Sequence, residues 1–266
     1  MIKAIFFDID GTLVSFKTHQ IPQSTLFALS ELRKKGIKIF ISTGRSWGQM
    51  QHLNDFPQFD GYITLNGSCC MDGNGSIIHQ VCIPTKDLER LVQYLHTNNF
   101  PIEVVYADQE VMTSSNEVVE RAWANVNMPV PPIIPLHKCN LNEVYQLGAF
   151  LNSEEQEALK ITERFMPSCA ELRWSPDFFD ILPRESSKSA GIDRIIEHYG
   201  ISIEETMAFG DGGNDIDMLQ HAAIGVAMGN AGDNVKAAAD HITTSVDDDG
   251  ILNALNKFNI LSLKTF

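Results

Sequence analysis

Positive charge is in short supply. The 266 residues include 20 Lys or Arg against 34 Asp or Glu, a formal charge of −14. So acidic a surface repels a phosphate backbone, which argues against a nucleic-acid partner. It also repels small phosphorylated molecules at long range, so any phosphate site here must carry local positive charge from Lys or metal. Cysteine is scarce and unpatterned. Cys69, Cys70, Cys82, Cys139 and Cys169 are odd in number, two are adjacent and none forms a CxxC pair. A disulfide framework or zinc site is therefore not expected, and reduced thiols are. No stretch is long and apolar enough to span a bilayer. The start, MIKAIFFDIDGT, is apolar for only a few residues before two aspartates, unlike a signal peptide or anchor. A cytoplasmic protein with no membrane partner is expected. Low-complexity tracts, internal repeats, a P-loop and the ligand alternation of an EF-hand are also lacking.

What is present is an ordinary globular composition, 44% hydrophobic and 20% charged. The length allows one large domain or two modest ones, and the pattern sets no oligomeric state. KAIFF (3–7), KIFIS (38–42) and GYITL (61–65) are short apolar runs of the kind buried parallel strands show. Between them an amphipathic segment at 23–35 carries Leu26, Leu29 and Leu32, with Gly36 as its exit, and a second helix is expected to run to about 53. The same grammar returns late, with helices at 187–199, 214–221 and 233–239 and strands at 206–210 and 223–228. Alternation of strand and helix predicts right-handed crossovers and a parallel sheet. The middle differs. PIEVVYA (101–107) and AELRW (170–174) alternate more than the core strands, among helices at 86–98, 116–125 and 153–165 and an extended PVPPIIP (129–135). The expected architecture is α/β: a Rossmann-like doubly wound parallel sheet formed by 1–82 and 185–266, with an inserted α+β domain at 83–184.

Four polar clusters fall at the carboxyl ends of predicted core strands or the start of a core helix, where open parallel sheets bind ligands. They are DIDGT (8–12), STGR (42–45), Lys188 and GDGGND (210–215). Asp8 and Asp10 lie two apart, so both side chains can face one site while Ile9 faces away. Their repulsion is best relieved by a divalent cation. Asp211 and Asp215 add two hard oxygen ligands of the kind magnesium accepts. Thr43 and Gly44, before a helix, offer a hydroxyl and backbone N–H groups to an anion. Each cluster has a plain alternative: Asp-Gly turns, Asn214 or Asp215 as a helix cap, Thr43 as a cap, Lys188 as surface charge. All four on one sheet edge are far more specific than any one.

These motifs, with LNG (65–67) and GVAMGNA (225–231), resemble the haloacid dehalogenase superfamily, and in particular its Cof-type branch (subclass IIB) of sugar-phosphate phosphatases with a cap of the second type. The resemblance implies Asp8 as nucleophile, forming an aspartyl-phosphate, and Asp10 as general acid and then base. It implies Mg²⁺ held by Asp8, Asp211, Asp215 and the Asp10 carbonyl, with Thr43, Gly44, Lys188 and Asn214 on the phosphoryl group. The chemistry is sound, because phosphoryl transfer needs positioning and charge neutralisation above all. Asp10 separates this chain from dehalogenases and P-type ATPases, which lack the second acid. One departure is that Ser189 follows Lys188 where relatives commonly have glycine, and the glycine sits at Gly191.

The resemblance also implies that the insert closes over the core and selects a small phosphorylated metabolite, with Arg45, Asn66, Arg173 and Trp174 as candidate substrate contacts. Each has a bland alternative as surface charge or domain core. Hexose or pentose phosphates are expected, then phosphorylated cofactors such as FMN or pyridoxal phosphate. The rival functions are a sugar phosphomutase, which uses the same Asp pair, and a non-catalytic sensor on the same scaffold.

Overall fold

Residues 4–7 are apolar and buried at every position, as a strand covered on both faces requires. The computed structural model describes residues 1–50, 56–98, 100–125, 129–173 and 175–261. The chain begins with β1 (Ala4–Phe7), α1 (Gln23–Lys34), β2 (Lys38–Ser42), α2 (Trp47–Met50), β3 (Gly61–Thr64), β4 (Cys69–Asp72) and β5 (Ile77–Gln80). It continues through α3 (Thr85–Leu95), β6 (Ile102–Val105), β7 (Glu110–Met112), α4 (Glu117–Asn125), β8 (Gln146–Ala149), α5 (Ser153–Leu159), α6 (Ile161–Arg164), β9 (Cys169–Arg173) and β10 (Phe179–Pro183). The last stretch supplies α7 (Lys188–Tyr199), β11 (Thr206–Gly210), α8 (Ile216–His221), β12 (Ile224–Ala227), α9 (Asp233–Ala238), β13 (His241–Ile242) and α10 (Gly250–Lys257). Met1–Gly44, Asp55–Gln80 and Ser187–Phe266 form one compact unit; Arg45–Asn54 and Val81–Ser186 form a second.

The first unit is the α/β fold that the sequence predicts. Its eight strands run in the order β13-β12-β11-β1-β2-β3-β4-β5. From β13 to β3 every pairing is parallel, and β4 and β5 continue the sheet antiparallel. The chain moves outward from β1 through β2 and β3, then returns on the other side through β11 to β13, so the winding reverses beside β1. Ligands bind beyond the carboxyl ends of strands at such a reversal. Phe6 and Phe40 stack at 4.9 Å and pack with Ile192 and Ile195 of α7 and Met218 and Leu219 of α8. Phe7 and Phe209, which point to the other face, stack at 5.2 Å. There α1 packs on β2 and on α10.

The second unit is a five-stranded antiparallel sheet, β7-β6-β8-β10-β9. Ile102, Val104, Leu147, Ala149, Phe179 and Ile181 alternate along three strands to make one apolar face, packed against Leu88 and Leu91 of α3. The helix expected over 153–165 is two helices, because Lys160 adopts a left-handed conformation (φ 46°) that breaks the run. The proline-rich stretch is extended and borders β7: Met112 donates to Pro132 O and Ile134 donates back to Met112 O.

Residues 45–50, which the sequence assigns to the core, join the second unit instead. Ser46 Oγ donates to Glu110 Oε1 at 2.9 Å, and Gly48 packs so close to the Asp108 backbone that a Cβ would lie 2.5 Å from its carbonyl oxygen. The end of the helix expected to reach about 53 lies outside the described residues. Among the described residues, no helix is long and apolar enough to cross a membrane.

Candidate active site

Strand β1 ends at Phe7, and the next residue, Asp8, is buried. The turn that follows is tight: Gly11 N–H donates to Val14 O at 2.8 Å, and Leu13 and Val14 both donate to Ile9 O. Gly11 has φ +85°, and a Cβ on it would lie 2.2 Å from Asp211 Oδ2. Only glycine fits there, because the turn must press its backbone against the next strand's carboxylate. Asp10 stands half-buried at the start of this turn.

Strand β11 ends at Gly210 and delivers Asp211, and a turn of 3₁₀ helix over Gly213–Asp215 delivers Asp215. The Asp215 carboxylate is fixed through Oδ2, which accepts from the N–H groups of Asp211 (2.9 Å) and Gly212 (2.8 Å). Lys188 begins α7, capped by Ser187 Oγ, which accepts from Ala190 N–H. Its side chain is wholly buried, and Nζ donates to Asp8 Oδ1 at 2.7 Å and Asp215 Oδ1 at 2.5 Å. Ser189, the departure from the family pattern, secures the same helix end. Its N–H donates to Asp217 Oδ2 at 2.9 Å, and its hydroxyl bonds that of Ser187. Gly191 serves packing, since a Cβ there would lie 2.5 Å from Ile63 of β3.

The three carboxylates Asp8, Asp211 and Asp215 each offer an oxygen within 4.8 Å of the others. One buried ammonium faces them, so negative charge is in excess. Burial first, and then Asp215, push the Asp8 carboxyl well above the usual carboxylate range, with Lys188 pulling the other way. Burial pushes Asp211 up to about 7; the Thr12 hydrogen bond opposes this and Asp215 adds to it. Burial disfavours the charge on Lys188, but Asp215 and Asp8 outweigh it and hold the ammonium above the ordinary lysine value. A hard-oxygen set strained by like charge fits a divalent cation, which would relieve the repulsion and return both carboxyls to their ionised form.

A second group assembles after β2 and β3. Thr43 is buried, its N–H donates to Ile63 O at 2.9 Å, and its carbonyl accepts from Asn66 N–H at 3.0 Å. Leu65, Asn66 and Gly67 all have positive φ, of 52°, 52° and 96°. Such strain in non-glycine residues persists only where surroundings enforce it, and it gathers at functional sites. Here it turns the buried Asn66 toward Asn214, whose Nδ2 donates to Asn66 Oδ1 at 3.0 Å. Gly44 leaves room for this pair, since a Cβ on it would meet Asn66 Oδ1 at 3.2 Å and Asn214 Nδ2 at 3.6 Å.

Two polar groups in the quoted motifs had no role assigned from sequence. Thr12 Oγ1 donates to Asp211 Oδ1 at 2.9 Å. Asn230 Nδ2 donates to Asp211 Oδ2 at 3.1 Å and Gly11 O at 2.8 Å, and its Oδ1 accepts from Val246 N–H. Both orient the Asp211 carboxylate. Their signal was present in DIDGT and GVAMGNA, but side-chain direction is not readable from a motif.

Arg45 belongs to the second unit. Arg173 lies there too, and its guanidinium is committed internally: Nε donates to Gln156 Oε1, Nη2 to Leu151 O, and Nη1 to the carbonyls of Ser175, Pro176 and Phe178. It also stacks over Phe179. These bonds commit most of the Arg173 donors to holding the second unit together. Trp174 lies outside the described residues.

Residues 5–255 match the haloacid dehalogenase-like hydrolase family. The chain is 31% identical to YkrA of Bacillus subtilis, a protein provisionally named a phosphatase, over 97% of this chain and 98% of that one. Among solved structures, the HAD subclass IIB sugar phosphatase BT4131 is 41% identical, with a TM-score of 0.85 over 97% of this chain and 100% of its own. The phosphatase BT1666 of Bacteroides thetaiotaomicron is 35% identical, with a TM-score of 0.89 over 98% and 96%. This chain belongs to the haloacid dehalogenase-like hydrolases. Within them it is a Cof-type phosphatase, a phosphoric monoester hydrolase.

Proposed function

We propose that this phosphatase is Mg²⁺-dependent, acts on sugar phosphates or similar small metabolites, and works through an aspartyl-phosphate on Asp8. The observation that carries the proposal is the placing of Asp8: at the carboxyl end of the central strand, bonded to Lys188, and within 4.8 Å of two further carboxylates. Asp8, Asp211, Asp215 and the Asp10 carbonyl would hold the cation. When bound, it neutralises charge on the phosphoryl oxygens and on the carboxylates around them.

In the first step an Asp8 oxygen attacks phosphorus in line. The new P–O bond forms as the bond to the ester oxygen breaks, and Asp10 gives its proton to that departing oxygen. In the second step Asp10 takes a proton from water, which attacks phosphorus, breaks the bond to Asp8 and releases inorganic phosphate. Splitting one displacement into two lowers the barrier of each. Lys188 keeps Asp8 and Asp215 together without full repulsion, and Thr43, the Gly44 N–H and Asn214 hold phosphoryl oxygens. The second unit acts as the cap that selects the leaving group. Sugar phosphates are favoured by the 41% identity to the sugar phosphatase BT4131.

The test is phosphate release from a panel of sugar phosphates and phosphorylated cofactors, with and without Mg²⁺, for wild type and Asp8→Asn. Mg²⁺-dependent release abolished in Asp8→Asn is expected. Release that survives the substitution would remove Asp8 from the chemistry. Transfer of the phosphoryl group back to sugar, with none to water, would make the enzyme a mutase.

A further inference from the structure

Phe16 is 61% exposed, the most exposed aromatic side chain among the described residues of the first unit. A lone exposed aromatic would mean nothing in itself. What sets Phe16 apart is its neighbour and its support. A Cβ built on Gly11 would lie 2.5 Å from Phe16 Cε2 and 2.2 Å from Asp211 Oδ2. Ring edge and carboxylate thus crowd the same point on the catalytic turn, and the ring is a neighbour of the carboxylate cluster.

The loop that carries it is clamped on both sides. Ser15, itself buried, donates through Oγ to Asp247 Oδ1 at 2.6 Å. The same hydroxyl accepts from the N–H groups of Lys17 and Thr18, at 3.0 and 3.2 Å. Lys17 Nζ reaches Asp247 Oδ2 at 2.9 Å, so one carboxylate holds residues on either side of Phe16. Ser15 N–H donates to Gln20 O, and His19, at φ 54°, donates back to Ser15 O. Polar bonds and a left-handed residue fix the loop with its aromatic side chain in water beside Gly11 and the Asp211 carboxylate, an arrangement that costs hydrophobic free energy unless a ligand covers the ring.

We propose that Phe16 is a specificity-determining residue, a platform on which the ring of the leaving group rests while its phosphate is held at Asp8. The ligand chemistry is a flat or cyclic group with an apolar face, either the C–H face of a sugar ring or a planar aromatic ring. This rests on the phosphatase function proposed above.

The experiment compares kcat/KM for glucose 6-phosphate, p-nitrophenyl phosphate and ring-free glycerol 3-phosphate, in wild type, Phe16→Ala and Phe16→Tyr. In Phe16→Ala the ratio of ring-bearing to ring-free ester should fall about three- to tenfold, the size of one aromatic stacking contact, mainly through KM. Phe16→Tyr should keep the wild-type ratio. A fall confined to glucose 6-phosphate identifies a sugar face, and one confined to p-nitrophenyl phosphate a planar ring. An unchanged ratio for both, or an equal loss on all three esters, overturns the inference while leaving the phosphatase function standing. Failure of the wild type to release phosphate from any ester brings down both.

Discussion

Lys188 Nζ lies 2.7 Å from Asp8 Oδ1, with the lysine side chain fully buried. The two residues are far apart in sequence, one after the first strand and one opening α7, and the contact ties the ends of the discontinuous core to each other. Because the same ammonium also bonds Asp215, it offsets part of the repulsion between two carboxylates. Lys188→Met should lower kcat about 10²- to 10³-fold, as loss of one preorganised charged donor does. Thermal denaturation at pH 8 should show lowered stability as well, since two buried carboxylates are left without their partner. Activity within tenfold of wild type would mean that the lysine is structural only.

The carboxylate triad predicts a stability response to metal. Mg²⁺ that binds only the folded chain should raise its stability by about 2.7 kcal/mol at a hundred times its Kd. Asp215→Asn, which removes one charged ligand from the set, should lose most of that gain. Calorimetry with and without MgCl₂ reads the difference, and an equal gain in both proteins would place the cation elsewhere.

Glu103 gives the second unit a pH dependence that does not involve the catalytic groups. It sits on β6 opposite Gly148, whose missing side chain makes room for it, since a Cβ on Gly148 would lie 2.8 Å from Glu103 Oε2. Burial first, then Glu110 and Asp180, push its carboxyl well above the ordinary 4.5. A carboxyl raised on folding binds its proton more tightly in the native chain, so its contribution to stability is present below 4.5 and is lost as pH rises from there toward the folded value. Glu103→Gln keeps the shape without the charge. Its Tm should exceed that of wild type at pH 8 and match it at pH 4. An equal change at both values would contradict the buried-charge explanation.

Gly67 has φ 96°, and a Cβ on it would lie 2.0 Å from Ser187 O. Gly67→Ala should therefore destabilise the first unit by at least about 1–3 kcal/mol. It should also impair catalysis, because Ser187 caps the helix that begins with Lys188 and Asn66 is the adjacent residue. Urea denaturation measures the first effect and phosphate release the second. A variant as stable as wild type would show that the loop can relax.

Much of the core was legible because its strands are short runs that are mostly apolar. AIFF, KIFIS and TMAFG announce strands buried on both faces, and the polar residue after each announces the ligand edge. Asp8, Lys188, Asp211 and Asp215 could be named from motif spacing, and the fold brings them within hydrogen-bonding reach. The β4–β5 hairpin was not legible, because CCMD and IIHQ show neither clean alternation nor a long apolar run. The division at Gly44 was hidden as well, since it depends on a tertiary bond from Ser46 to Glu110. The internal bonds of Arg173 were hidden for a related reason. A charged residue late in a strand reads as exposed, and only the folded chain shows carbonyl groups converging on it.

The central claim is the covalent bond to Asp8, and chemical trapping tests it most directly. Borohydride reduces an aspartyl-phosphate to homoserine, so enzyme quenched during turnover of a good ester with Mg²⁺ should yield a peptide carrying homoserine at position 8. The conversion should vanish without substrate. Turnover that proceeds with residue 8 unmodified, or with the reduction at another carboxylate, would contradict the account.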